Sequence, residues 1–146
     1  MRILFAALLA LSALAAPAAA QEGASEARLV TIVATDQPQT QLMAMVLTMQ
    51  AVRQGAEARI LLCGPAGDVA LIDAPDSATA PQKPRDMSPQ SLMSALMEQG
   101  VAVEVCAIYL PNKGVGQDAL LPGIGVAKPP EMAAALLADG VRLLTF

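Results

Sequence analysis

Short β-branched runs recur along this chain, each separated from the next by a stretch with helical spacing, and that alternation leaves few folds open. The first run is Leu29-Val30-Thr31-Ile32-Val33-Ala34, apolar on both faces as a strand covered on both sides should be. Thr35-Asp36-Gln37-Pro38 turns it into a helix, with Pro38 where a first helical turn accepts proline. Apolar residues at Leu42, Met45, Met49 and Val52 predict the buried stripe of that helix, and Gly55 predicts its stop. Arg59 to Cys63 predicts the second strand, followed by Gly64-Pro65-Ala66-Gly67 and a short helical segment around Asp68 to Ile72. The proline-rich residues 74–87 read as a loop.

Ser88-Pro89 opens the next helix, serine as cap and proline in the first turn, with Leu92, Leu96 and Met97 as its stripe and Gly100 at its end. Val101 to Cys106 is the third strand. Asn112 to Gly116 reads as a turn, Asp118 to Leu121 as one helical turn, and Gly123 to Ala127 as a short fourth strand. Pro129-Pro130-Glu131 starts a last helix that runs through Leu137 and stops near Gly140, and Val141 to Phe146 is the fifth strand. Strands that alternate with helices pair in parallel through right-handed crossovers. The expected fold class is therefore α/β, a three-layer α/β/α sandwich around a five-stranded, mainly parallel sheet.

The chain opens with a different pattern. Met1-Arg2 is a short positive start, Ile3 to Leu14 an apolar run, and Ala15-Ala16-Pro17-Ala18-Ala19-Ala20 ends in the small-x-small pattern read by a signal peptidase. A membrane-spanning helix needs about 20 apolar residues, more than precede Pro17. Residues 1–20 are thus expected to be a cleaved signal peptide of bacterial type, residues 21–27 a flexible tail, and residues 28–146 the folded domain. The expected location is the periplasm, with no membrane association after cleavage.

Composition then narrows the chemistry. Without Arg2 the chain keeps 8 basic residues against 13 acidic ones, a balance that excludes a basic face for nucleic acid or an anionic membrane. There is no His, which removes imidazole catalysis and His-ligated metal sites. There is no Trp and only one Tyr, which leaves no stacking platform for bases. No cofactor is expected. Lone Gly-x-Gly turns at Gly114-Val115-Gly116 and Gly123-Ile124-Gly125 do not make a nucleotide fingerprint.

What remains is sulfur. Cys63 and Cys106 are the only cysteines, and an even pair in an oxidising compartment most often forms a structural disulfide. Both, however, end a predicted strand, and ligands of open parallel sheets bind beyond the carboxyl ends of the strands. At Cys63 the turn beginning with Gly64 leads into a helix start whose amides favour a thiolate. Beyond Cys106, Lys113 is the nearest cation in sequence and Tyr109 a hydrogen-bond donor. Asp36, after the first strand, is a carboxylate on the same edge or a helix cap. Asp68 and Asp73 have no evident partner for acid–base chemistry.

At these residues the chain resembles the DsrE/DsrF-like proteins of sulfur relay. The likeness lies in the Asp36 loop after the first strand, the small Gly-rich turn after the second, and Gly100-Val101-x-Val103-x-Val105-Cys106 followed by Gly114-Val115. It covers most of residues 28–146. The resemblance implies a five-stranded parallel sheet, assembly into homotrimers or hexamers, and a persulfide-carrying cysteine at Cys106 that exchanges sulfur with a donor or acceptor protein or a small thiol. Members commonly have Arg where this chain has Lys113, and an export signal and the second cysteine, Cys63, set this chain apart. The resemblance also places the second and third strands side by side, with the two cysteines within bridging distance.

Three readings of the pair stay open. It is a sulfur- or thiol-handling site, with Cys106 acting and Cys63 resolving, whose activity, if any, would be sulfurtransferase-like. Or it is a structural bridge in a non-catalytic oligomeric binding or scaffold protein. Or the thiols, with some of Met43, Met45, Met49, Met87, Met93, Met97 and Met132, hold Cu(I), against the commoner use of methionine as plastic core filler.

Overall fold

The computed structural model describes residues 27–146; the expected signal peptide and all but the last residue of the expected tail lie outside the described residues. The chain is built as β1 (Arg28–Val33), α1 (Pro38–Arg53), β2 (Glu57–Leu62), a 3-10 segment (Gly64–Ala70), α2 (Asp76–Thr79), α3 (Pro89–Glu98) and β3 (Ala102–Val105). Then follow α4 (Tyr109–Lys113), a 3-10 turn (Gln117–Ala119), β4 (Gly125–Val126), α5 (Pro129–Leu137) and β5 (Val141–Thr145). The five strands form one sheet in the order β4-β3-β2-β1-β5, and every neighbouring pair is parallel. The expected fold class is the one found. Among the described residues no helix is long and apolar enough to cross a membrane.

The chain lays strands outward from β1 to β4, then returns through α5 to place β5 on the far side of β1. The main core lies between the sheet and the layer formed by α1, α3, the 3-10 segment and α4. Val33, Ile60, Leu62, Val103 and Val105 of the strands meet Met45, Met49, Leu92, Met93 and Leu96 there. The opposite face is thinner. Leu61, Ala127 and Met132 form a small second cluster under α5, with Ile32, Cys63, Cys106 and Leu136 packed against it. The period-two alternation of strands puts Ile60 and Leu62 on one face and Leu61 and Cys63 on the other.

Helix α1 buries its expected stripe at Met45 and Met49, with Leu42 and Val52 packed against the core, and adds polar residues to it. Its buried residues are Gln41, Ala44, Met45, Thr48 and Met49, while Leu42 and Val52 are only half-buried. The reason is polar pairing. Thr48 Oγ1 donates to the Ala44 carbonyl at 2.8 Å, and Thr31 in the middle of β1 meets Thr48 Oγ1 at 2.7 Å. Gln41 Nε2 donates to the Thr35 carbonyl at 2.7 Å and fixes the β1–α1 turn. Polar side chains can be buried where such partners exist, so the stripe takes them in. Thr48→Val keeps the shape but strips Thr31 of its partner. It is expected to cost about 1–2 kcal/mol in urea unfolding; an unchanged midpoint would mean that the hydroxyl pair contributes nothing.

Helix α3 starts as expected. Ser88 Oγ accepts from the Ser91 amide at 3.2 Å while the Ser88 amide donates to Ser91 Oγ at 3.0 Å, a reciprocal cap. Its buried stripe includes Met93, with Met97 half-buried. Two short helices escaped the sequence reading. α2 sits inside the expected loop, and α4 takes up Asn112 and Lys113 of the expected turn, ending on Gly114 at φ +76°. Both are one turn or slightly more, too short for a helical period to show.

Candidate functional site

Cys63 and Cys106 follow directly on the last residues of β2 and β3, where Leu62 and Val105 are in register. The sheet ladder continues through both cysteines: the Cys63 amide donates to the Val33 carbonyl and the Cys106 amide to the Leu62 carbonyl, each at 2.8 Å. Each cysteine carbonyl then closes a turn, accepting from Ala66 at 3.2 Å and from Tyr109 at 2.8 Å. The backbone is thereby fixed on both sides of each thiol position. The Cα atoms stand 5.0 Å apart and the sulfurs are joined as a disulfide. That separation is about the spacing of neighbouring strands, so the sheet itself sets the bridge.

The segments after the two cysteines are tied a second time. Asp68, on the 3-10 segment that follows Cys63, accepts from Tyr109 Oη at 2.7 Å and from Lys113 Nζ at 2.8 Å, both on the α4 segment that follows Cys106. Gly67 lies flat under the Tyr109 ring, and a Cβ there would run into Cδ2, Cε2 and Cγ of that ring. Burial, helped by the bond to Asp68 and its negative charge, pushes the Tyr109 phenol well above its ordinary value. The neutral phenol is the form the fold favours. Its stabilising contribution is therefore complete below the unfolded tyrosine value of about 10 and is lost as pH rises above it.

Tyr109 is the only tyrosine, so tyrosinate absorbance reports on this residue alone. In an alkaline titration it is expected to ionise only as the fold opens, and at lower pH in Asp68→Asn. Ionisation near pH 10 in the folded protein would remove the clamp from the description.

The other residues expected at the site fall as follows. Gly64 takes φ +54° at the turn out of Cys63, a conformation that calls for glycine. The helical segment it opens is 3-10, and the Cys63 side chain caps none of its amides. Lys113 and Tyr109 are at the right end of the sheet but serve Asp68 rather than sulfur. Asp36 reaches the same edge, exposed, bonded to Gln37 Nε2 at 3.1 Å; it does not cap α1, and Thr35 Oγ1 takes the Gln37 amide instead. Asp68, for which the sequence offers no evident acid–base partner, is the hub of the clamp. Nothing local to Asp68 marks it, because both partners lie more than forty residues on, across two helices and a strand.

A cleft of about 270 Å³ opens beside the bridge, lined by Leu61, Ala107, Ala127, Met132 and Leu136 with Cys106 in its wall. Cys63 is not part of its lining. Met132, the buried residue of α5, is the one methionine among the described residues that clusters with the cysteines. Met45, Met49 and Met93 fill the main core, Met87 and Met97 pack against it, and Met43 is exposed. Among the described residues no three His, Cys, Asp or Glu side chains converge as a metal cluster would require. A roomier cavity of about 490 Å³ lies at the amino ends of the strands, between Arg28, Glu57, Arg59 and Val141. No cysteine borders it, and it sits on the edge opposite the one that open parallel sheets use.

This arrangement defines a class by fold: an α/β sandwich whose two innermost carboxyl-edge positions on β2 and β3 are a bonded cysteine pair. No protein-family model and no curated protein sequence matches the chain. Among solved structures it is similar to the ychN protein from Escherichia coli, at 21% identity and a TM-score of 0.60, over 82% of this chain and 98% of that one. It is also similar to MTH1491, a protein of unknown function from Methanobacterium thermoautotrophicum, at 16% identity and a TM-score of 0.61, over 82% of this chain and 98% of that one. At these identities the likeness is one of fold.

Proposed function

We propose that this chain is an exported, DsrE-like protein of the periplasm that handles thiol or sulfur equivalents through Cys106, with Cys63 as the resolving thiol. The observation that carries the reading is the pairing of the cysteines at adjacent strand ends on the carboxyl edge, with one of them in the wall of an open cleft. The shared fold and the Gly100-to-Cys106 run agree with it. In the bridged state the available chemistry is thiol–disulfide exchange: an incoming thiolate bonds to one sulfur and the other leaves as thiolate. A persulfide on Cys106 then arises if the incoming thiolate is hydrosulfide, the sulfide sulfur being oxidised and Cys63 reduced. The donor or acceptor is a protein or a small thiol. Self-association through the exposed Leu137 and Leu143, 84% and 50% accessible on α5 and β5, completes the proposal.

A structural bridge is the second reading, and the backbone bonds that fix both cysteines favour it. Equilibration with glutathione, followed by alkylation and intact mass, separates the two. A couple above about −300 mV supports exchange; one below it leaves a structural bridge in a binding or scaffold protein. Native mass spectrometry reads the oligomer, and a monomer at all concentrations would remove that part of the proposal.

A further inference from the structure

Resting on the exchange reading, we infer that the bridge is opened at Cys106 by a small thiol with an apolar, uncharged body, and that Cys63 is the leaving group. The cleft beside the bridge touches Cys106 and not Cys63. Exchange rates depend on which sulfur can be reached as well as on the thiols themselves. A thiolate entering from the cleft therefore meets Cys106 before Cys63.

The lining decides what the thiol carries. Leu61, Ala107, Ala127, Met132 and Leu136 offer methyl, methylene and thioether surface and no charge. The cations that would hold an anionic thiol are engaged elsewhere. Lys128, in sequence between the lining residues Ala127 and Pro129 but not itself in the lining, pairs with Glu131 at 3.0 Å, and Lys113 is held by Asp68 at 2.8 Å. The chain as a whole is acidic, with a net charge of −4. An anionic thiol gains nothing here, whereas a short alkyl or aryl group buries its surface against Met132 and Leu136.

The step balances without an outside oxidant. The thiolate RS⁻ forms a bond to Cys106 Sγ, the bridge breaks, and its electron pair leaves on Cys63 Sγ, which takes a proton from water. The product is the mixed disulfide R–S–S–Cys106. A second thiolate attacks the R sulfur, releasing R–S–S–R and the Cys106 thiolate. Two thiols have been oxidised and the bridge has been reduced.

The test uses the oxidised protein and two probes matched in length, propanethiol and mercaptopropanesulfonate. Rates are compared per thiolate, the reaction is quenched with N-ethylmaleimide, and peptide mass spectrometry places the adduct. The maleimide is expected on Cys63 and the probe on Cys106, with propanethiol several-fold faster, because the sulfonate finds no cation in the lining and is repelled by the acidic protein. Ala133 is exposed at the mouth of the cleft. Ala133→Lys is expected to raise the relative rate of the sulfonate several-fold by attraction at short range. A probe adduct on Cys63, equal rates for the two thiols, or no response to Ala133→Lys would overturn the inference and leave exchange standing. Failure of the bridge to react with either thiol would instead overturn the exchange reading.

Discussion

Replacing both cysteines, as Cys63→Ala with Cys106→Ala, is expected to lower stability by about 4 kcal/mol while leaving the fold in place. The bridge closes a sequence separation of 43 residues, and in the chain-entropy model a loop of that size limits the unfolded ensemble by about that amount. The folded side loses little. The ladder bonds at Cys63 and Cys106 and the turns they close are made by backbone, and the Asp68 clamp does not involve sulfur. Urea unfolding of the oxidised protein, the reduced protein and the double variant measures this directly. The reduced protein and the double variant should agree closely. A double variant that fails to fold would mean that the bridge organises the sheet edge rather than the sheet setting the bridge.

The second large effect is expected at a residue with no side chain. Gly67→Ala places a methyl inside the Tyr109 ring, so ring or backbone must move. Overpacking of this kind costs about 1–3 kcal/mol, and the upper end applies here because the Tyr109–Asp68 bond is disturbed as well. The same variant has a functional readout. If the clamp positions the post-cysteine segments, Gly67→Ala should change the glutathione equilibrium of the pair as well as the unfolding midpoint. A loss of stability with an unchanged equilibrium would confine the clamp to a structural role. Tyr109→Phe, which keeps the ring and drops the hydroxyl, separates packing from hydrogen bonding.

The sequence and the structure part at definable places. The five strands were legible because each is a compact β-branched or apolar run, most of them set off by a glycine, and their alternation with helices left one sheet type. Both cysteines were legible as strand ends for the same reason. Their bond was an implication of the resemblance and of the even cysteine count, since spacing along the chain does not reveal which strands are neighbours. The stripe of α1 was legible at Met45 and Met49, with Leu42 and Val52 packed at its margin, but the buried Thr48 was not, because its partner Thr31 lies on another element that no helical period contains. Asp68 was invisible for a like reason. A carboxylate acquires its role from partners, and those of Asp68 are forty-one and forty-five residues away. The cleft likewise needs β2, β3, the segment after β4 and α5 together before it exists.

The two cysteines owe their places to hydrogen bonds that oxidation and reduction of sulfur do not touch. Gaining or losing two electrons is therefore expected to move the main chain little, so that the domain presents nearly the same outline in either state. Such a domain does not announce its redox state by changing shape. Whatever meets it must read the sulfur itself.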